Sequence, residues 1–124
     1  MLVVDDHLVF RNAARELVEA TPGFVVLDEA SSGGEALTLA DQLEPELVLI
    51  DVWMPDMDGL ATASLLHEAH PGSVVVLVSA GDWTDLPRET ESCGAAETVR
   101  KQDLTSARLR GLWRRHGPAN PSAA

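Results

Sequence analysis

LVLID, residues 47–51, is apolar through four residues and ends on a carboxylate. A strand with one wet face alternates polar and apolar side chains, because successive side chains point to opposite faces. Four consecutive apolar residues leave no wet face. Such a strand has to be covered on both sides, as a strand inside a parallel sheet flanked by helices is.

The rest of the chain supplies neighbours and coverings for it. LVVD (2–5), FVVLD (24–28) and VVVLVS (74–79) are short, β-branched runs, and a more polar fifth strand fits residues 95–99. Segments of helical period lie between them. Over 8–20, Phe10, Ala14, Leu17 and Val18 share one face, and TPG (21–23) ends the helix. Ser32-Gly-Gly-Glu35 has the spacing of a capping box and opens a helix that packs Ala36, Leu37, Ala40 and Leu43 and stops before Pro45. A third helix is expected over about 58–69, ending at PG (71–72). Residues 83–93, with Pro87 and few apolar anchors, make a poor helix. A last helix near 103–116 sets Leu109, Leu112 and Trp113 inward and Arg110 and Arg114 outward. Five βα units of this kind make a doubly wound α/β domain over residues 1–116, and GPANPSAA (117–124) reads as a disordered tail or the start of a linker.

Composition narrows the function classes. The chain has 124 residues, 45% of them hydrophobic, enough for one domain with a real core. No apolar run approaches the ~18 residues a membrane span needs, and no basic region follows Met1, so neither a membrane segment nor a signal peptide is expected. Cys93 is the single cysteine and cannot form an internal disulfide, which fits a reducing cytoplasm. A net charge of −11 argues against nucleic-acid binding by this domain. That charge is segregated: residues 1–99 carry −16 and residues 100–124 carry +5.

In doubly wound sheets, sites form beyond the carboxyl ends of the strands. Asp5 and Asp6 end the first strand, Asp51 the third and Ser79 the fourth, and Lys101, the only lysine in the chain, lies just past the fifth. Each of these alone is usually a turn residue, a cap or a solvated surface group. Their joint delivery to one edge is what such roles explain poorly. Carboxylates ~5 Å apart repel by about 3 kcal/mol at an effective dielectric near 20, and a hard divalent cation relieves this. Mg2+ suits such a site, because it takes a few carboxylates, keeps waters and accepts phosphate oxygens. With the metal on one side of Asp51, and Lys101 and Ser79 on the other, the oxygens of a phosphoryl group on Asp51 would each meet a cation or a donor.

VVDDH (3–7), LIDVWMPDMDG (49–59), VLVSAGD (76–82) and GAAETVRK (94–101) together resemble the receiver domain of bacterial two-component response regulators, over about residues 1–116. The resemblance implies the flavodoxin-like strand order 2-1-3-4-5. It implies that Asp51 is the phosphoacceptor for a sensor histidine kinase, that Asp5, Asp6, Asp51 and the backbone carbonyl of Trp53 hold Mg2+, and that Ser79 and Lys101 bind the phosphoryl oxygens. It also implies a switch at Ser79 and position 98, acting on the surface formed by 83–93, the fifth strand and the last helix. Three positions depart from the family pattern: Thr98 stands where many receivers have an aromatic switch residue, Gln102 where many have proline, and Trp53 where a polar residue is common.

His7 reads as a helix-start surface residue, His67, His70 and His116 show no ligand spacing, and Gly33-Gly34 lacks the rest of any nucleotide loop. The leading reading is thus a phosphoacceptor that turns over no external substrate. Its output would run through a phosphorylation-dependent homodimer, or through a DNA-binding domain elsewhere in a longer regulator. A haloacid-dehalogenase-like phosphatase would need a second acid where Trp53 stands, and a phosphorylation-independent receiver would have lost part of the acidic pocket.

Overall fold

A computed structural model of the chain describes residues 1–54, 59–80 and 93–117. Leu47–Asp51 is the central strand, β3, and all five of its residues are buried. Leu2–Val4 (β1) and Asp28–Ala30 (β2) lie to one side of it, and Val74–Ser79 (β4) and Glu97–Arg100 (β5) to the other. The sheet runs β2-β1-β3-β4-β5 with every pair parallel, the doubly wound flavodoxin-like arrangement.

Strand alternation divides the core in two. Leu2, Val4, Val48, Ile50 and Leu77 meet Ala36 and Ala40 of α2 (Gly33–Leu43) and Ala63 and Leu66 of α3 (Gly59–Ala69). Val3, Leu49, Val76, Val78 and Val99 face the other way, onto Ala14 and Val18 of α1 (Leu8–Glu19) and Leu109 and Leu112 of α4 (Ser106–His116). Each fully buried Leu or Val is worth roughly 1.5–3 kcal/mol of transfer free energy, which is why the unbroken apolar strands are central. Among the described residues no helix is long and apolar enough to cross a membrane.

Two strands sit downstream of where the apolar runs suggest. FVVL (24–27) is as β-prone as any stretch in the chain, yet β2 is Asp28–Ala30. Register decides it: Leu2 pairs with Asp28 and Val4 with Ala30, so residues 24–27 precede the ladder. They are tied by Phe24 N–H donating to the Thr21 carbonyl at 3.2 Å, by the Met1 ammonium donating to the Val25 carbonyl at 2.5 Å and by Leu27 N–H to the Met1 carbonyl at 2.8 Å. Val25 is left 67% exposed. β5 is likewise Glu97–Arg100 rather than 95–99, because its ladder starts at Val76 opposite Glu97. The last helix begins at Ser106, after a short 3-10 turn at Lys101–Asp103, and is capped by Thr105, whose hydroxyl accepts from Arg108 N–H.

Ser32 caps α2 as its spacing indicates, accepting from Glu35 N–H at 3.2 Å. The returning Glu35 carboxylate takes the Ser31 N–H, one residue earlier than in the usual box. Leu43, expected to pack inward, is 38% exposed. The poor helix expected at 83–93 lies almost wholly outside the described residues. So do position 58, where the third helix was expected to begin, and all but Gly117 of the tail.

Candidate functional site

The carboxyl ends of β1 and β3 bring the acids together. Asp5 directly follows β1, anchored by its N–H to the Ala30 carbonyl at 3.0 Å, and is fully buried. Asp51 is the last residue of β3 and 4% exposed, while the Asp6 side chain keeps 28% of its surface in contact with solvent. Ligand atoms of Asp5, Asp6, His7 and Asp51 all lie within 4.8 Å of one another. At that distance two unit charges still repel by about 3 kcal/mol at an effective dielectric near 20.

Lys101 reaches this cluster from β5. Its Nζ lies 2.6 Å from Asp5 Oδ2 and 3.8 Å from Asp51 Oδ2, and only 17% of the side chain is exposed. The ammonium also rests over the Phe10 ring, 4.4 Å from its centroid. Against that one cation, burial first, then the neighbouring Asp5, pushes the Asp51 carboxyl from 3.8 up to about 6. Lys101 and the Trp53 N–H pull it back down, and Asp6 adds to the rise. The Trp53 N–H donates to Asp51 Oδ1 at 3.3 Å.

The oxygens fit a hard cation. Asp5 Oδ2 and Asp6 Oδ1 are buried and accept no hydrogen bond. The first has the Lys101 ammonium beside it as an ion contact without hydrogen-bond geometry, and among the described residues the second has only His7 Nδ1, at 3.2 Å. Leaving buried carboxylate oxygens in this state is costly unless a further cation meets them. Three carboxylates in a polar edge are the donor set of Mg2+ rather than of a thiolate- or imidazole-binding metal.

Ser79 closes β4 and is fully buried; Asp51 pairs in register with Val78, one residue before it. Thr98 pairs with Leu77 and Arg100 with Ser79, so alternation places Thr98 on the same sheet face as Ser79, one pairing step back from the edge. The Trp53 side chain is turned outward, 50% exposed.

Three side chains have roles that spacing did not reveal. His7 is the N-cap of α1, but its ring does not cap the helix. Its side chain is 65% exposed, as expected of a helix-start surface residue, and its ring Nδ1 also stands 3.0 Å from Asp5 Oδ1. Phe10, read as a core residue, is also the wall behind Lys101. Arg11 donates through Nη1 to the Asp5 backbone carbonyl at 2.5 Å and pairs with Glu29. Phe10 and Arg11 occupy the first turn of a helix that starts three residues after β1. That topological fact was available from the sequence as a hint that they border the strand ends.

The backbone of Gly59 closely approaches that of Asp51 and Val52. Gly59 N–H donates to the Val52 carbonyl at 3.0 Å, and a Cβ on Gly59 would lie 2.0 Å from the Asp51 backbone oxygen. Only glycine fits there, which gives the glycine of MPDMDG a steric reason.

Residues 1–110 match the family model described as the response regulator receiver domain. The chain is 38% identical over 79 residues to the transcriptional regulatory protein YdfI of Bacillus subtilis, a match covering 64% of this chain and 37% of YdfI. It spans less than half the length of the curated relatives it matches. Among solved structures, the signal receiver domain of the putative response regulator NarL from Mycobacterium tuberculosis superposes with a TM-score of 0.78 at 30% identity, covering 90% of this chain and 93% of that one. A CheX-CheY-BeF3-Mg2+ complex from Borrelia burgdorferi gives a TM-score of 0.77 at 26% identity, over 90% and 83% of the two chains.

Proposed function

The chain belongs to the response regulator receiver domain family, and on that premise we propose that it takes a phosphoryl group from a phosphohistidine of a sensor histidine kinase onto Asp51. The observation that supports this most is the buried Asp51 carboxylate placed between two further acids and the one lysine. An ionised Oδ of Asp51 attacks phosphorus, the P–N bond of the phosphohistidine breaks, and the imidazole leaves with the bonding pair. Asp5, Asp6 and Asp51, with the Trp53 backbone carbonyl, would hold Mg2+, whose charge keeps the acids ionised and neutralises the incoming phosphoryl oxygens. The Lys101 ammonium, 3.8 Å from Asp51, and the Ser79 hydroxyl meet the remaining oxygens. That a family member was solved with BeF3 and Mg2+ supports both the metal and a tetrahedral phosphoryl mimic here.

The output runs through Ser79 and Thr98 to the surface of β5, α4 and residues 83–93. With no aromatic at position 98, that switch depends on the Ser79 and Lys101 contacts themselves. Arg110 and Arg114 are exposed on α4, and the acids of residues 82–91 supply opposite charge, which favours a phosphorylation-dependent homodimer. The short span relative to YdfI, together with its name, favours a second reading in which residues 1–116 are the receiver of a longer transcriptional regulator and residues 117–124 open its linker.

Incubation with acetyl phosphate and Mg2+ is expected to add one acid-stable, base-labile phosphoryl group, and Asp51→Asn to abolish it. Undiminished labelling of that variant would overturn the assignment.

A further inference from the structure

A lysine side chain has four rotatable bonds, so an ammonium that must serve one oxygen needs something to hold it there. Lys101 begins a 3-10 turn at the sheet edge, yet its side chain is only 17% exposed. Three contacts define the ammonium's place. Asp5 Oδ2 is 2.6 Å away, Asp51 Oδ2 is 3.8 Å away, and the Phe10 ring centroid is 4.4 Å away. The ring is itself held, since Phe10 packs against the core cluster that contains Val3, Leu49, Val99 and Leu109.

We infer that Phe10 is a positioning residue for Lys101: its ring face holds the ammonium beside Asp5, within reach of Asp51. An acid in this place would compete with Asp51 for the cation, and an aliphatic side chain would exclude water without attracting the charge. A ring face attracts a cation through its quadrupole, weakly and without fixing a direction. The ammonium can therefore pivot between Asp5 and a phosphoryl oxygen on Asp51 while it keeps its contact with the ring. The same position serves the helix, because Phe10 heads the face that continues through Ala14 and Val18.

This inference rests on the phosphoacceptor reading for its consequence but not for its geometry, and the experiment separates the two. In the NMR spectrum of the full chain, the ε-methylene protons of Lys101 are expected upfield of ordinary lysine positions, shifted by the ring current. The shift should vanish in Phe10→Leu and persist in Phe10→Tyr. With Mg2+ present, beryllofluoride affinity is expected to fall about threefold to tenfold in Phe10→Leu, the size of one partly desolvated cation–ring contact. It should recover in Phe10→Tyr, and Phe10→Leu should have no further effect in a Lys101→Met background. Unshifted Lys101 protons in the unmodified protein would overturn the inference. So would a loss of affinity in Phe10→Leu that persists without Lys101, which would mark a merely structural effect. If the unmodified protein shows the upfield shift but binds no beryllofluoride, the phosphoacceptor reading fails and the placement of Lys101 stands.

Discussion

Asp51 is buried beside two further acids, and its ionisation should be measurable as stability. Its carboxyl is raised from 3.8 to about 6, by burial above all and then by Asp5. A raised carboxyl stabilises the fold fully below its unfolded value, and that contribution is lost as pH rises through about 6. Asp51→Asn keeps the shape without the charge. In chelator the variant is therefore expected to melt roughly a few degrees above the unmodified chain at pH 7.5, with the gap closing toward pH 4. Saturating Mg2+ should shrink the gap, since a cation removes the repulsion; a gap independent of both pH and metal would contradict the account. Comparing the two proteins at each pH removes the opposite contribution of Glu97. Burial raises the Glu97 carboxyl, but hydrogen bonds from His116 and Arg108 and the charges of Arg108 and Arg115 outweigh this and hold it below 4.5. At this scale the sequence was legible wherever a side chain follows a strand end, because backbone topology alone delivers Asp5, Asp6, Asp51, Ser79 and Lys101 to one edge. It was illegible wherever the role depends on which way a side chain turns, as with the His7 ring, Phe10 beneath the ammonium, and His116 on Glu97.

Elements were predicted well where burial alone specifies them and less well where a partner strand does. β3 and β4 stand as read from their apolar runs, whereas β2 lies downstream of FVVL because the ladder with β1 begins at Leu2 and Asp28. Propensity yields to register in an edge strand, since unpaired backbone gains nothing from being β-prone. The β3–α3 connection makes a sharper claim. A Cβ at Gly59 would meet backbone atoms of Asp51 and Val52 at 2.0, 2.8 and 2.9 Å, and backbone cannot swing aside as a side-chain tip can. Gly59→Ala is thus expected to cost about 1–3 kcal/mol in urea unfolding. It should also reduce acetyl phosphate labelling more than its fraction unfolded explains, because the displaced atoms belong to the proposed phosphoacceptor. Unchanged stability and labelling would show that the close approach of Gly59 does not support Asp51.

At the scale of the whole chain, charge is segregated along the sequence, with −16 over residues 1–99 and +5 over residues 100–124. Asp5, Asp6 and Asp51 meet at the strand ends, while α4 carries Arg108, Arg110, Arg114 and Arg115. Glu97 already holds Arg108 at 2.9 Å, Arg115 at 3.4 Å and His116 at 2.5 Å within one copy. That withdraws Glu97 from pairing between copies and leaves Arg110 and Arg114 as exposed arginines of α4 outside that cluster. Exposed pairs are worth about 0–1 kcal/mol each, so a dimer built on them should be weak. Sedimentation is expected to show a salt-sensitive dimer strengthened by beryllofluoride and weakened by Arg110→Glu; the same monomer with and without the mimic, at low salt and high concentration, would leave a different partner as the output. All of this depends on Asp51 being the residue that is modified. Reducing the phosphorylated protein with borohydride converts an aspartyl phosphate to homoserine, which peptide mass spectrometry locates. The account predicts homoserine at position 51 alone, formed only when Mg2+ was present during phosphorylation; homoserine elsewhere, or at position 51 without any divalent cation, would contradict it.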